Sequence, residues 1–125
     1  MSRSRNRLIG VGAAVAMAGG AMLTAAPTAS ADSAYGCSWP YVCFYKTKSD
    51  WDARKPTASF KDITSYYQKL GSRSHGAYAI YNSRNDDGAS IRYTNGSTLC
   101  LKPNNWRLNN SWTANGIKIM NSASC

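Results

Sequence analysis

Residues 89–101 read ASIRYTNGSTLCL, and this stretch decides the fold. Apolar and polar residues alternate over Ala89–Tyr93, as they do in a β-strand with one buried face. Asn95-Gly96 then separates this run from a second run of strand formers, Ser97–Leu101. Both Asn and Gly tolerate the positive φ angles of a type I′ turn. The stretch therefore predicts a β-hairpin closed by Asn95-Gly96.

The same strand pattern extends in both directions from the hairpin. Three further runs of strand formers are bounded by polar or turn-forming residues: Tyr41–Tyr45, Ala77–Tyr81 and Gly116–Met120. The segment Lys46–Asp50 is predicted to be a polar turn. Ile63–Leu70 is the one candidate for a short helical turn, although its β-branched and aromatic residues favour extended structure. We therefore expect an all-β domain.

A faint internal repeat appears when residues 42–52 are laid on residues 78–88. Tyr45 then matches Tyr81, and each copy is an apolar strand followed by a polar turn. Together with the even spacing of the strands, this match favours two similar β units packed face to face in a small sandwich.

The first 31 residues have the features of a secretory signal peptide. Three arginines precede an apolar run of 16 residues, Leu8–Leu23, and Ala29-Ser30-Ala31 ends the segment with small residues at both required positions. The run is shorter than the roughly 20 residues needed to span a bilayer. We expect cleavage after Ala31 and a secreted, extracellular protein with no membrane span. A retained anchor is the alternative.

Without residues 1–31, the remaining 94 residues, 32–125, are enough for a single domain. Three of the 15 basic residues lie in the leader, so 12 remain against six acidic residues, a net charge of +6. This charge is moderate and not clustered, and export separates the chain from nucleic acid. We therefore expect no nucleic-acid partner. A monomer is expected as well, although nothing in the sequence bears on the oligomeric state.

The residue types needed for catalysis are scarce in this chain. It has no glutamate and a single histidine, His75, which lies in a polar loop, so a catalytic triad would depend on that residue alone. The carboxylates that could pair for glycoside hydrolysis lie beside turn residues, where aspartate often bonds nearby backbone: Asp50, Asp52, Asp86 and Asp87. We therefore expect a protein that is not an enzyme and needs no cofactor.

All four cysteines follow the leader, and in a small exported domain they indicate two disulfides. Cys37 and Cys43 are close enough in sequence to form a local bond, which would leave Cys100 to pair with Cys125. Four cysteines allow three pairings, so the other two stay open. The longer closure would tie the hairpin to the C-terminus and contribute roughly 3 kcal/mol of stability.

Two stretches of the sequence resemble the Streptomyces metalloproteinase inhibitor family. One is the Cys37–Cys43 pair followed by Phe44-Tyr45, and the other is Ile91-Arg92-Tyr93 leading through a turn into Ser97–Leu101. Proteins of that family are small, exported, two-disulfide domains with a βγ-crystallin-like Greek-key sandwich. The resemblance implies that residues 32–125 have this fold and that the protein is a secreted inhibitor of an extracellular zinc metallopeptidase.

The resemblance also implies a reactive site. The family's inhibitory peptide bond lies just after a disulfide-bonded cysteine, and the similar position here is Cys100-Leu101. Leu101 would fill the apolar pocket of the enzyme, and the tether through Cys100 would preorganise the segment. The alternative is that both residues belong to a strand, with Leu101 in the core. The sequence departs from the family at Lys102–Trp106, where the partner cysteine is missing, so the loop would be held less tightly.

A polar stretch near the C-terminus is similar to the calcium-binding stretch of many βγ-crystallin domains. Residues 109–114 match it at five of six positions and fail at Ala114. Asn109, Asn110 and Thr113 are the candidate oxygen ligands. Because the stretch has no carboxylate and the domain is basic, we expect weak calcium binding or none, and a polar turn is the alternative.

The aromatic and basic residues favour a different function. Four aromatic residues lie in polar stretches near Lys69 and Arg107: Tyr66, Tyr67, Trp106 and Trp112. Exposed aromatic rings could stack on sugars, and a basic surface favours anionic wall polymers or membranes. The alternative to an inhibitor is therefore a wall-binding, carbohydrate-binding or antifungal killer-toxin-like βγ-crystallin module. These aromatics could instead form a small core.

Overall fold

The computed structural model describes residues 33–125, and the predicted signal peptide lies outside this range. Within it the elements are β1 (Val42–Tyr45), α1 (Lys48–Asp52), β2 (Ala58–Phe60), β3 (Gln68–Lys69), β4 (Ala79–Asn82), β5 (Ala89–Tyr93), β6 (Thr98–Leu101), β7 (Trp106–Leu108) and β8 (Ala114–Ile119). The described chain is all-β apart from one short helix, as the runs of strand formers predict.

The strands form two four-stranded antiparallel sheets. Sheet I has the strand order β2-β1-β4-β7, and sheet II has the order β3-β8-β5-β6. The first four strands of the chain put β1, β2 and β4 into sheet I and send β3 to sheet II. The last four put β5, β6 and β8 into sheet II and send β7 to sheet I. The two halves are interlocked, because each gives its third strand to the other's sheet.

The internal repeat between residues 42–52 and 78–88 is wrong as a guide to the two halves. These segments contain β1 and β4, which are neighbours in sheet I, with Cys43 opposite Tyr81. The strand that takes the place of β1 in the second half is β5. Both β1 and β4 are buried on both faces, so they share an apolar composition without being equivalent.

The predicted hairpin is present as β5 and β6, with Arg92 opposite Thr98. Its turn is not type I′, because Gly96 has a φ of 85° whereas Asn95 lies outside the positive-φ region. The Gly96 N–H donates to the Tyr93 carbonyl at 3.0 Å. The connection therefore has three residues, with only the glycine left-handed, which is the usual geometry for that length.

Helix α1 begins within Lys46–Asp50, the segment predicted to be a polar turn, whereas Ile63–Leu70 contains no helix. The Thr47 hydroxyl accepts from the Asp50 N–H, and the Asp50 carboxylate accepts from the Thr47 N–H, each at 3.1 Å. This reciprocal capping box stabilises α1, which is too short to show a helical period. Ile63–Leu70 instead contributes the two-residue edge strand β3.

One apolar core lies between the sheets and takes residues from both. Sheet I contributes Val42, Phe44 and Ile80, and sheet II contributes Ile91, Leu101, Ile117 and Ile119. In sheet II the residues that alternate with these point away from the core and are polar: Ser90, Arg92 and Lys118. Sheet II is therefore apolar on one face only.

Sheet I is buried on its outer face as well. A second cluster of Cys37, Cys43, Tyr45, Trp51, Ala79 and Tyr81 lies there, under α1 and the N-terminal segment. Tyr35 stacks on Trp51 with ring centroids 4.9 Å apart. The Tyr45 hydroxyl donates to the Tyr35 carbonyl at 2.5 Å, and burial raises the pKa of Tyr45 far above its usual range, so it remains a neutral donor.

Both disulfides have the pairing that the sequence favours, Cys37–Cys43 and Cys100–Cys125. The second ties β6 to the C-terminal tail. Gly88 packs against it, since a Cβ there would lie 3.2 Å from the Cys125 Sγ. In the part of the chain that the structure describes, no helix is long and apolar enough to cross a membrane.

Candidate functional site

The structure places Cys100 and Leu101 at the end of β6, directly before an exposed turn, Lys102–Asn105. Leu101 is 4% exposed and belongs to the core between the sheets. Its side chain is therefore not presented to an enzyme pocket, and exposing it would cost on the order of 2 kcal/mol. The structure matches the alternative considered for this residue, a core leucine in a strand.

The buried side chain of Asn82 holds this end of β6. Its Nδ2 donates to the carbonyls of Leu101 at 3.0 Å and Asp87 at 2.9 Å, and its Oδ1 accepts from the Arg84 N–H at 3.0 Å. Its backbone N–H donates to the Asn105 carbonyl at 2.9 Å. One fully buried residue therefore bonds both ends of the turn Lys102–Asn105.

A nearly buried ion pair fixes the segment that follows Asn82. Arg84 Nη2 and Asp87 Oδ2 are 2.7 Å apart, and the two side chains are 12% and 8% exposed. The Arg84 guanidinium also donates to the Pro40 carbonyl at 3.0 Å and the Lys61 carbonyl at 3.2 Å. The ion pair and its extra hydrogen bonds hold the loop between β4 and β5 in place. Loss of either partner would leave the other as an uncompensated buried charge.

Sequence reasoning missed these anchoring residues, since Asn82–Gly88 looks like an ordinary polar turn. The one local signal is that Asn82 directly follows the apolar run Ala77–Tyr81, so it can continue the same strand. Its 0% exposure and its bonds to residues 101 and 105 depend on strands that lie far away in the sequence.

The turn Lys102–Asn105 itself is polar and exposed, with Pro103 half-buried. Asn104 has a φ of 62°, and the Asn105 N–H donates to the Lys102 carbonyl at 3.2 Å. Trp106 follows at the start of β7 and is 47% exposed, with its ring centroid 5.8 Å from that of Trp51. The turn is therefore an anchored loop that ends in an exposed aromatic residue.

A second surface feature is a cleft of about 260 Å³ lined by residues Arg107–Trp112. Trp112 is 39% exposed and meets the Tyr93 ring edge to face at 5.1 Å. The Arg107 guanidinium lies 5.9 Å from the Trp112 ring centre, and its Nε is buried without a hydrogen-bond partner. The cleft thus combines one aromatic wall with polar groups, an arrangement typical of small-ligand sites.

Two of the calcium candidates, Asn109 and Asn110, line this cleft, but the Asn109 side chain is already hydrogen-bonded. Its Oδ1 accepts from the Tyr93 hydroxyl at 2.8 Å, and its Nδ2 donates to the Ala77 carbonyl at 3.1 Å. Burial raises the pKa of Tyr93, which keeps the hydroxyl protonated as a donor. A cation would have to displace this bond, whereas Asn110 and Thr113 are exposed. Asn109 therefore has a structural role here.

Three of the four aspartates considered for catalysis are engaged in separate structural contacts. Asp50 caps α1, Asp52 pairs with Lys48 at 2.7 Å, Asp87 pairs with Arg84, and Asp86 is exposed. His75 is exposed, and its carbonyl accepts from the Lys46 ammonium group. Within residues 33–125, no three His, Cys, Asp or Glu side chains are grouped so that they could hold a metal ion.

Of the four aromatics singled out in the sequence, Tyr66 is 64% exposed, Trp106 and Trp112 are partly exposed as given above, and Tyr67 is half-buried. Fold and site together define a small, two-disulfide, two-sheet domain with an anchored exposed turn and an aromatic cleft. No family model, no curated protein and no solved structure matches this chain.

Proposed function

We propose that the described chain is a βγ-crystallin-like Greek-key domain that acts outside the cell by binding. The observation that supports this fold is the exchange of third strands, because β3 and β7 each join the sheet of the other half. Two disulfides are compatible with an oxidising, extracellular setting. The fold is the one that the resemblance to the metalloproteinase inhibitors implies.

We further propose that the protein inhibits an extracellular peptidase, a zinc metallopeptidase by the same resemblance. The observation that carries this proposal is the double anchoring of the turn Lys102–Asn105 by Asn82, next to the Cys100–Cys125 bond. An inhibitor needs a loop that is ordered before binding, because ordering it on the enzyme would cost affinity. Leu101 then acts as an internal anchor, and Trp106 is the exposed apolar group that can enter the enzyme.

Replacing Trp106 with alanine is expected to raise the inhibition constant for thermolysin about tenfold, because a large exposed tryptophan is the usual anchor of an interface. Inhibition by residues 32–125 is measured with a peptide substrate. The matched control is Trp39→Ala, since Trp39 is 53% exposed in the Cys37–Cys43 loop. Equal inhibition constants for both variants, or no inhibition at micromolar protein, would contradict the proposal.

The Trp112 cleft supports a second candidate function, binding of a neutral wall or fungal polysaccharide. A sugar ring could stack on Trp112 while Asn110, Ser111 and Arg107 supply hydrogen bonds around it. This function needs no peptidase and no change in the core.

Trp112→Ala is expected to reduce the bound fraction about tenfold in pull-downs on chitin, glucan or peptidoglycan, because the stacking wall of the cleft is lost. Trp106→Ala serves as the control, since Trp106 lies outside the cleft. Retention that is unchanged in the Trp112 variant, or lost equally in both, would rule out the cleft as the binding site.

A further inference from the structure

The outer face of sheet II carries basic side chains from three strands. Lys69 in β3 and Arg92 in β5 both lie opposite Gly116 of β8, and Lys118 lies two residues further along β8. Ile91, Ile117 and Ile119 alternate with these residues and are fully buried, so the basic residues point away from the core. Lys69 is exposed, and Arg92 and Lys118 are half-buried.

Tyr67 organises this surface. Its ring centre is 4.8 Å from the Arg92 guanidinium carbon and 4.8 Å from the Lys118 ammonium nitrogen. Its hydroxyl lies 2.6 Å from the Ser90 hydroxyl, which fixes the ring across the sheet. Gly116 allows this arrangement, since a Cβ there would lie 3.0 Å from an Arg92 Nη. We call Tyr67, Lys69, Arg92, Lys118 and Thr98 the Tyr67 face.

The basic groups of the Tyr67 face have no acidic partners among residues 33–125. The salt bridges there are Lys48–Asp52 and Arg84–Asp87, and neither involves this face. Arg92 Nε donates to a neutral acceptor, the Asn115 Oδ1, at 3.2 Å. Two like charges held against one ring repel each other, so an anion between them would be attracted by both.

We propose that the Tyr67 face binds a linear wall polymer whose repeating units are joined by phosphodiester groups. Neighbouring strands are about 4.8 Å apart, so cations on β3, β5 and β8 spread over roughly 10 Å and suit a chain of charges better than one small ion. The fork of the Arg92 guanidinium matches phosphate oxygens, and the exposed Thr98 beside Arg92 can bond the polymer's hydroxyls.

This site goes beyond the proposed function. Neither the turn Lys102–Asn105 nor the Trp112 cleft includes any residue of the Tyr67 face. A nucleic acid has the same phosphodiester chemistry, but the predicted export signal in residues 1–31 favours the wall polymer. Because the Tyr67 face shares no residue with the turn or the cleft, polymer binding can be absent while peptidase inhibition is present, and the reverse.

The test is binding of residues 32–125 to soluble poly(glycerol phosphate), measured by calorimetry at several salt concentrations. The double variant Lys69→Gln/Lys118→Gln is expected to bind about tenfold more weakly at low salt, with a less steep salt dependence, because two phosphate contacts are lost. The single variant Lys69→Gln should weaken binding about threefold by the same reasoning, and its exposed position makes it safe for folding. Thermolysin inhibition should be the same in all of these proteins.

The control is Lys55→Gln/Lys61→Gln, which removes the same charge from exposed positions outside sheet II. It should bind poly(glycerol phosphate) within about twofold of the unmodified protein, because screened distant charges contribute little. The proposal is overturned if both double variants lose affinity equally or if no binding occurs. Tighter binding to a single-stranded DNA oligonucleotide or to polygalacturonate than to poly(glycerol phosphate) would also overturn it.

Discussion

Asn82→Leu is expected to lower the free energy of unfolding by about 4 kcal/mol, the largest effect of any single substitution proposed for this domain. Leucine has a similar volume but cannot make the three hydrogen bonds of the Asn82 amide, which joins the carbonyls of Leu101 and Asp87 and the N–H of Arg84. Each unpaired buried group costs about 1–3 kcal/mol. Urea unfolding followed by tryptophan fluorescence measures the change.

Two comparisons show whether the loss comes from these hydrogen bonds. Asn82→Asp keeps the acceptor for the Arg84 N–H but turns a carboxylate toward two carbonyls, so it should be at least as destabilising at pH 7. Asn110→Ala removes an exposed amide and should change stability by less than about 0.5 kcal/mol. An Asn82→Leu variant as stable as the unmodified protein would show that Asn82 does not anchor the turn.

Removing the longer disulfide by Cys100→Ala/Cys125→Ala is expected to cost about 3.5 kcal/mol. The bond closes a separation of 25 residues, and chain entropy predicts this loss for a loop of that size. The exposed tail, residues 121–125, should loosen with it, which would weaken the hydrogen bond of 2.7 Å from the Gly88 N–H to the Ser122 carbonyl. Thermal unfolding and hydrogen exchange at Gly88 measure the two effects.

The shorter disulfide provides the matched comparison. Cys37→Ala/Cys43→Ala opens a separation of six residues, for which chain entropy predicts a loss of only about 2 kcal/mol. If the order of the two double variants were reversed, packing of the buried Cys37–Cys43 pair within the second cluster, on the outer face of sheet I, would outweigh loop closure. If peptidase inhibition survives the loss of Cys100–Cys125 unchanged, that bond is not the tether of the inhibitory turn.

The strands were the part of the fold that the sequence predicted best. The alternation in Ala89–Tyr93 directly reflects a sheet with one apolar face, and the continuous apolar run of β1 reflects a sheet covered on both sides. The helix at Lys48–Asp52 was missed because five residues are held by a capping box rather than by an apolar period. The type I′ turn was wrong because Asn95-Gly96 also suits a three-residue loop, and strand register decides between them.

The candidate site was harder to predict from the sequence than the strands were. Burial of Leu101 could be framed only as an alternative, since a strand residue before a turn can face either the core or the solvent. The motif similarity at residues 109–114 was real in sequence, yet the Asn109 amide bonds Tyr93 and Ala77, which lie in or next to other strands. The Tyr67 face was suggested only as scattered aromatic and basic residues, because the strands that carry its basic residues, β3, β5 and β8, are distant in the chain.

By itself, the sequence determined the properties that depend on neighbours along the chain. These are the all-β class, the central hairpin, the favoured cysteine pairing, and the scarcity of catalytic residue types. Only the tertiary structure decided how the halves exchange β3 and β7, which side of β6 Leu101 faces, and that Asn82 bonds both ends of the turn Lys102–Asn105. The physical reason is that periodicity records which residues are apolar, whereas the partner of a buried polar group is set by packing between distant strands.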